Sequence, residues 1–226
     1  MDFPLPYRRE LPGGLVVAST RPEHADQLEQ LQITVFPTLA HEERFRAEHY
    51  RRHIELFPEG QFVVLDGDRV AGATSNIRLD FDFDHPGHTF AELIQGGYLT
   101  SHEPEGAWLY CADIGTHPDY RGRGIARALF QALHEVVRAL GLRGQVAVGM
   151  LSGYGAVRES CSPEEYYDRL ARGEIFDPTV SVQARLGFAL RGLVRGYLDD
   201  PVCDGCGALL VLDADRDVAT TGRGRS

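Results

Sequence analysis

Arg121-Gly122-Arg123-Gly124-Ile125-Ala126 constrains this chain more than any other stretch. An apolar, strand-like segment, Trp108 to Thr116, runs into it. An amphipathic helix pattern, Ile125, Leu129, Leu133, Val136 and Leu140, runs out of it and stops at Gly141. Strand, glycine-rich turn and helix start together make a cradle for a pyrophosphate. Glycines let backbone N–H groups approach the anion, the first helical turn presents unpaired donors, and the helix dipole favours negative charge there.

Two common cradles are excluded. A dinucleotide fingerprint needs G-x-G-x-x-G or A with its first glycine close behind the strand. Counted from Gly122, the last position is Arg127, and His117 to Arg121 separate strand from glycine. A P-loop needs G-K-S or G-K-T, and the chain has no lysine at all. The same absence removes lysine nucleophiles and pyridoxal Schiff bases.

The remaining pattern is R or Q-x-x-G-x-G or A, met by Arg121, Gly124 and Ala126 behind the lead-in His117-Pro118-Asp119-Tyr120. It resembles motif A of the GNAT superfamily of acetyl-CoA-dependent N-acyltransferases. Arg185-Leu186-Gly187-Phe188 resembles the glycine–phenylalanine signature that ends the fourth GNAT helix, and Leu109 to Ile114 followed by Gly115-Thr116-His117-Pro118 resembles the fourth strand. More narrowly, Ser162-Pro163-Glu164-Glu165-Tyr166, the run Gly173 to Pro178, and Tyr197-Leu198-Asp199-Asp200 resemble GNAT domains that bacteria fuse to nitrilase-type carbon–nitrogen hydrolases. The resemblance covers Leu15 to Asp213. With no room for a hydrolase after Asp213, a stand-alone member is expected, and a homodimer or a working link to an amidase or nitrilase-type hydrolase is left open.

At 226 residues one domain is expected, with a core from about 15 to 213 and a flexible tail from 214 to 226. Net charge is −10, which argues against nucleic-acid or anionic-membrane partners and for a cationic substrate. The first ten residues lack the apolar centre of a secretory signal, no run is long enough to span a bilayer, and four cysteines do not make a disulfide framework. A cytoplasmic protein is expected.

Along the chain, Leu15 to Ser19 reads as a strand and Thr20 with Glu23 as a capping box for a helix carrying Ala25, Leu28, Leu31 and Val35. A second helix, His41 to Phe57, presents Ala47, Tyr50, Ile54 and Phe57. A hairpin follows, Phe62 to Leu65 and Val70 to Leu79, then a loop excursion over Asp82 to Gly106. After the Trp108 strand and the long helix come a strand at Gln145 to Met150, a helix behind a Ser162–Glu165 capping box, a helix behind Asp177-Pro178, and strands at Phe188 to Leu198 and Ala208 to Leu212. A hairpin cluster joined to one strand–helix–strand crossover predicts an α/β (α+β) fold with a mixed, mostly antiparallel sheet and helices on both faces. The GNAT resemblance adds a sheet splayed between its fourth and fifth strands.

The resemblance also implies the chemistry. An amine attacks the acetyl-CoA thioester directly, without an acyl-enzyme. The pantetheine arm would lie in the splay and pair with backbone at Ile114, Gly115 and Thr116, with Gly115 marking a bulge. The pyrophosphate would sit on Arg121, Gly122, Arg123, Gly124, Ile125, Ala126 and Arg127. Asp113, on the strand beside the thioester, is the first candidate for general base, ahead of His117. Many family members carry a tyrosine, as acid, four residues before the G-F glycine; here that position is Gln183. Tyr154 is the substitute candidate, with Tyr166 and Tyr167 behind it.

Asp80-Phe81-Asp82-Phe83-Asp84 alternates strictly, so a strand there would line its carboxylates on one face. Asp82 and Asp84 are thus candidate substrate-binding residues for a cationic amine, against the plainer reading of a solvated edge. Cys203-Asp204-Gly205-Cys206 is a lone C-x-x-C with neither a helix behind it nor further ligands at metal spacing, and no metal is expected. The leading reading is acetyl transfer from acetyl-CoA to the primary amine of a small molecule. The alternative is an acyl-CoA-binding sensor without catalysis, which Gln183 keeps open. Length of the acyl donor is not readable.

Overall fold

The computed structural model describes residues 3–220. One mixed sheet of eight strands runs through it in the order β1-β2-β3-β4-β5-β6-β8-β7. The strands are β1 (Arg8–Glu10), β2 (Leu15–Ser19), β3 (Phe62–Asp66), β4 (Arg69–Leu79), β5 (Trp108–Thr116), β6 (Gly144–Met150), β7 (Ala189–Val194) and β8 (Gly207–Asp213). The helices are α1 (Ala25–Val35), α2 (Ala47–Leu56), α3 (Phe90–Ile94), α4 (Ile125–Ala139), α5 (Pro163–Ala171) and α6 (Val180–Arg185). The expected fourth and fifth strands are therefore β5 and β6, because β1 adds a strand at the sheet edge.

Every neighbouring pair is antiparallel except β5 and β6, which the α4 crossover makes parallel. Helices cover both faces: a Cβ on Gly115 would touch Val35 of α1, whereas one on Gly72 would run into Ile125 of α4. The apolar stripe read from the sequence is the buried face of α4, with Leu129, Leu133 and Val136 fully enclosed.

The sheet opens at one place. β5 and β6 pair from Trp108↔Gly144 to Cys111↔Ala147, and no further, although both strands continue. On the other side of β5, Ser75 pairs with Asp113 and Asn76 with Cys111, which leaves Ala112 as an extra residue. The bulge bends β5 away from β6, while β8 holds β6 straight out to Met150. The bulge thus falls at Ala112. Gly115, where it was expected, pairs in regular register with Ala73.

Other expectations change. Asp80 to Asp84 is not a strand, since β4 ends at Leu79. Phe83 packs edge-on against Trp108 at 5.1 Å yet stays 37% exposed, and Phe81 faces Tyr110 at 6.0 Å. The excursion after it contains α3, capped reciprocally by Thr89 and Glu92. The Thr20–Glu23 box does not form; Pro22–His24 is a 3₁₀ turn in which Arg21 N donates to His24 Nδ1 at 3.0 Å. The Ser162 box is half made, with Glu165 N donating to Ser162 Oγ at 3.2 Å. α2 is shorter than predicted and buries His49, Tyr50 and His53. Residues 214–219 are tied down by Ala214 N to Arg143 O and Ala219 N to Leu186 O, both 2.9 Å. Of the expected tail, 221–226 lies outside the described residues.

Candidate active site

The turn between β5 and α4 is anchored from beneath. His117 N donates to Ala71 O at 2.9 Å, and Tyr120 Oη donates to Asp66 Oδ2 at 2.9 Å. Gly122 and Gly124 then take φ of +76° and +80°, which a side chain adopts only under strain. A Cβ at either glycine would meet nothing within 4 Å, so their backbone faces open space. The first bond back into α4 runs from Ala128 N to Gly124 O at 3.0 Å. The N–H groups ahead of it have no backbone acceptor among the described residues, and α4 has no side-chain cap. Such a surface fits a pyrophosphate by the physics of free donors and helix dipole.

The predicted anion residues divide into distinct jobs. Arg121, Ala126 and Thr116 line a groove of about 520 Å³ that starts at this turn. Arg123 instead lays its guanidinium on the Tyr120 ring at 5.1 Å, where it braces the turn. Ile125 is core, 2% exposed. Arg127 has a buried Nε without a partner.

The groove leads between β5 and β6 into a smaller inner chamber of about 70 Å³, and the two share Phe36, Ile114, Met150, Thr179 and Gln183. Asp113 lines the chamber with Leu39, Phe90 and Val148. Its side chain has no hydrogen-bond or ion-pair partner among the described residues. Burial among these apolar groups raises its pKa to about 7. A carboxyl group poised there exchanges a proton near neutrality. β5 beyond Cys111 also leaves its β6-facing edge unpaired, as a strand-like partner in the gap would require.

Gln183, read as the departure from the family pattern, reaches the same place. It is 4% exposed, lines both groove and chamber, and its Oε1 is buried without a partner. It lies across β6 where a Cβ on Gly149 would collide with that oxygen. Beside it, the Ser152 and Thr179 hydroxyls bond at 2.7 Å.

Several candidates are elsewhere. Tyr154 is 3% exposed, packs edge-on against Tyr166 at 5.5 Å and lines neither groove nor chamber. It packs behind the site. Tyr166 Oη is committed to Asp177 Oδ2 at 3.1 Å, the carboxylate that also caps α6 through Thr179 N and Val180 N. Asp82 turns onto His85 Nδ1 at 2.9 Å and accepts from Asp84 N at 2.9 Å. The pair sits near Trp108, five residues and about 16 Å of strand before Asp113. His117 is held at the turn by Asp119 N. Cys203 and Cys206 are buried in the β7–β8 connection, and no group of three or more His, Cys, Asp or Glu side chains suited to a metal occurs among the described residues.

Sequence reasoning missed Tyr197. Its ring walls the chamber, although it lies 84 positions beyond Asp113 in the chain. The only signal was its place in the Tyr197-Leu198-Asp199-Asp200 run, noted for resemblance and given no role.

A sheet splayed beside a bulged strand, with an anion cradle at the splay, defines a class of acyl-CoA-handling folds. A model of the acetyltransferase (GNAT) family matches residues 25–158, more than half of the chain. The chain belongs to that family. It is 31% identical over 186 residues to the probable hydrolase YhcX of Bacillus subtilis (strain 168), covering 82% of this chain but only 36% of that relative. It is 30% identical over 176 residues to the uncharacterized N-acetyltransferase YkwB of the same organism, covering 77% of this chain and 78% of the relative. Among solved structures, the GphF GNAT-like decarboxylase in complex with isobutyryl-CoA superposes with a TM-score of 0.73 at 22% identity, over 88% of this chain and 98% of that one. The loading GNATL domain of CurA from Lyngbya majuscula does so with 0.73 at 20%, over the same shares. At these identities the likeness is one of fold. No helix among the described residues is long and apolar enough to cross a membrane.

Proposed function

We propose that this chain transfers an acetyl group from acetyl-CoA to a primary amine of a small molecule by direct attack. The observation that carries the reading is Asp113: an unpaired carboxyl, raised to about 7, in an apolar chamber at the end of a groove that begins at the anion cradle. The cradle would hold the CoA pyrophosphate through Gly122 to Arg127 backbone and Arg121. The open edge of β5 at Ile114 to Thr116 would hold the carrier arm. The carrier supplies an activated acyl group when bound.

Asp113 then has one task, to take a proton from the acceptor nitrogen. Phe36, Leu39 and Phe90 exclude water around it, which preserves the nucleophile and keeps the carboxyl basic. The chamber's size suits a short acyl group or a slim amine, and the one carboxyl in its lining suits a cation. The name of YkwB supports amine acetylation.

The test is release of free thiol from acetyl-CoA over a panel of amines. Turnover on at least one amine supports the reading. Tight binding of CoA with no turnover on any amine overturns it in favour of the sensor alternative, which Gln183 in place of tyrosine supports. Decarboxylation of a carboxyacyl-CoA belongs in the same screen, since the fold also serves a protein named as a decarboxylase.

A further inference from the structure

The chamber has one polar wall that leads outward. Tyr197 lines it, and Tyr197 Oη lies 3.0 Å from Tyr110 Oη. Tyr110 Oη lies 2.8 Å from His88 Nε2, and His88 Nδ1 lies 2.9 Å from Pro86 O. The last contact orders the others. A carbonyl only accepts, so Nδ1 carries the proton and donates to Pro86 O. In the neutral ring Nε2 is then an acceptor, and Tyr110 must donate to it. Tyr110 oxygen is left to accept from Tyr197. The Tyr197 oxygen, its proton directed to Tyr110, keeps its lone pairs free to accept a proton.

The row is insulated along its length. Tyr110 is fully buried and Tyr197 is 3% exposed. Phe81 packs on His88 at 5.7 Å, and Phe90 packs on Tyr197 at 5.7 Å. His88, at the far end, is half-buried on the loop between β4 and α3. We propose that Tyr197, Tyr110 and His88 form a proton exit from the inner chamber to solvent.

This rests on the acyl-transfer reading of the same chamber. Each turnover joins the acceptor nitrogen to the acyl carbon and breaks the carbon–sulfur bond. An ammonium acceptor gives up two protons. One ends on the departing thiolate and the other must leave. Asp113 can hold one proton and must be emptied before the next turnover. A shift along the row moves it out: Tyr197 takes a proton on the chamber side and passes its own to Tyr110, which passes one to His88. The resulting imidazolium carries a proton on each nitrogen; it gives the Nδ1 proton to water as the bond to Pro86 O opens, and the ring and hydroxyls then turn back to reset the row. No oxidant or further reactant is required.

Steady-state acyl transfer over many turnovers, with acetyl-CoA and an amine that the wild-type protein acetylates, tests the row. His88→Ala should slow the rate about tenfold with KM values unchanged, and added imidazole should restore it. Tyr110→Phe should slow it as much, without rescue by imidazole, and should reduce the solvent deuterium isotope effect. Circular dichroism and melting identify a variant that has lost its fold; should Tyr110→Phe do so, the His88→Ala variant and its rescue decide alone. Folded variants that keep the wild-type rate and isotope effect, or a slowed His88→Ala that imidazole leaves slow, overturn the exit and leave acyl transfer standing. A wild-type protein that acetylates no amine overturns the transfer reading, and the exit with it.

Discussion

Asp113 owes its chemistry to what surrounds it rather than to what it is. An aspartate on an exposed strand ionises near pH 4, whereas apolar walls raise this one to about 7. Asp113→Asn should lower kcat about a hundredfold or more with little change in KM for acetyl-CoA. The wild-type pH profile of kcat/KM should rise with an apparent pKa near 7, and the variant should lose that limb. A variant with the same profile would remove Asp113 from the chemistry. Asp113 was legible in sequence because it lies three residues from Thr116 on the strand that feeds the turn. Tyr154 was misplaced for the opposite reason: a tyrosine after β6 has no periodicity to say which way it turns, and packing on Tyr166 turned it inward.

At the scale of elements, the strand–turn–helix unit follows directly from local pattern. Gly124 has φ of +80° at the N-cap of α4, and that conformation is built into the turn. Gly124→Ala should destabilise the fold by about 1 kcal/mol and weaken CoA binding about tenfold, read by denaturant melts and calorimetry. The helix behind it is held by packing. Leu129, wholly buried on the sheet face of α4, should cost about 3 kcal/mol as Leu129→Ala, with a lower denaturant midpoint and an unchanged slope. The Asp80–Asp84 segment marks the limit of such reading. Its two-residue period is the mark of a strand, but β5 has only the length to pair β4 as far as Leu79. Past the end of the ladder, the phenylalanines fold onto Trp108 and Tyr110 whatever the alternation says.

Across the molecule, two buried ionisable groups pull stability in opposite directions with pH. Burial lowers His53 to about 4, and its ring stays neutral between Gly97 O at 2.7 Å and Ser75 Oγ at 3.3 Å. Between about pH 6.5 and about 4 the unfolded chain takes up a proton that the folded chain refuses, so this group's contribution is lost as pH falls. Asp113 does the reverse. Between about pH 4 and about 7 the folded chain holds a proton that the unfolded chain releases, so stability is lost as pH rises. Removing one partner should expose the other. Melting temperatures of Asp113→Asn should climb more steeply than wild type from pH 4 to about 6.5, and the gain over wild type should be largest above pH 7. Equal slopes for the two proteins would contradict the assignment.

The sequence by itself determined the glycine turn and open helix start proposed as the pyrophosphate cradle, the exclusion of lysine-dependent chemistry, the mixed sheet and the strand that carries Asp113. These depend on neighbours in the chain: glycine conformations, a helical period and a strand that ends where a turn begins. Only the tertiary structure decided where the sheet opens, that Arg123 braces Tyr120 instead of lining the groove, and that Gln183 and Tyr197 face the same chamber as Asp113. The opening depends on pairing on both sides of β5, where one extra residue at Ala112 bends the strand away from β6. The chamber is walled by α1, α3, β5, β6, α6 and the segment after β7, and no local pattern in any one of them records how the six come together.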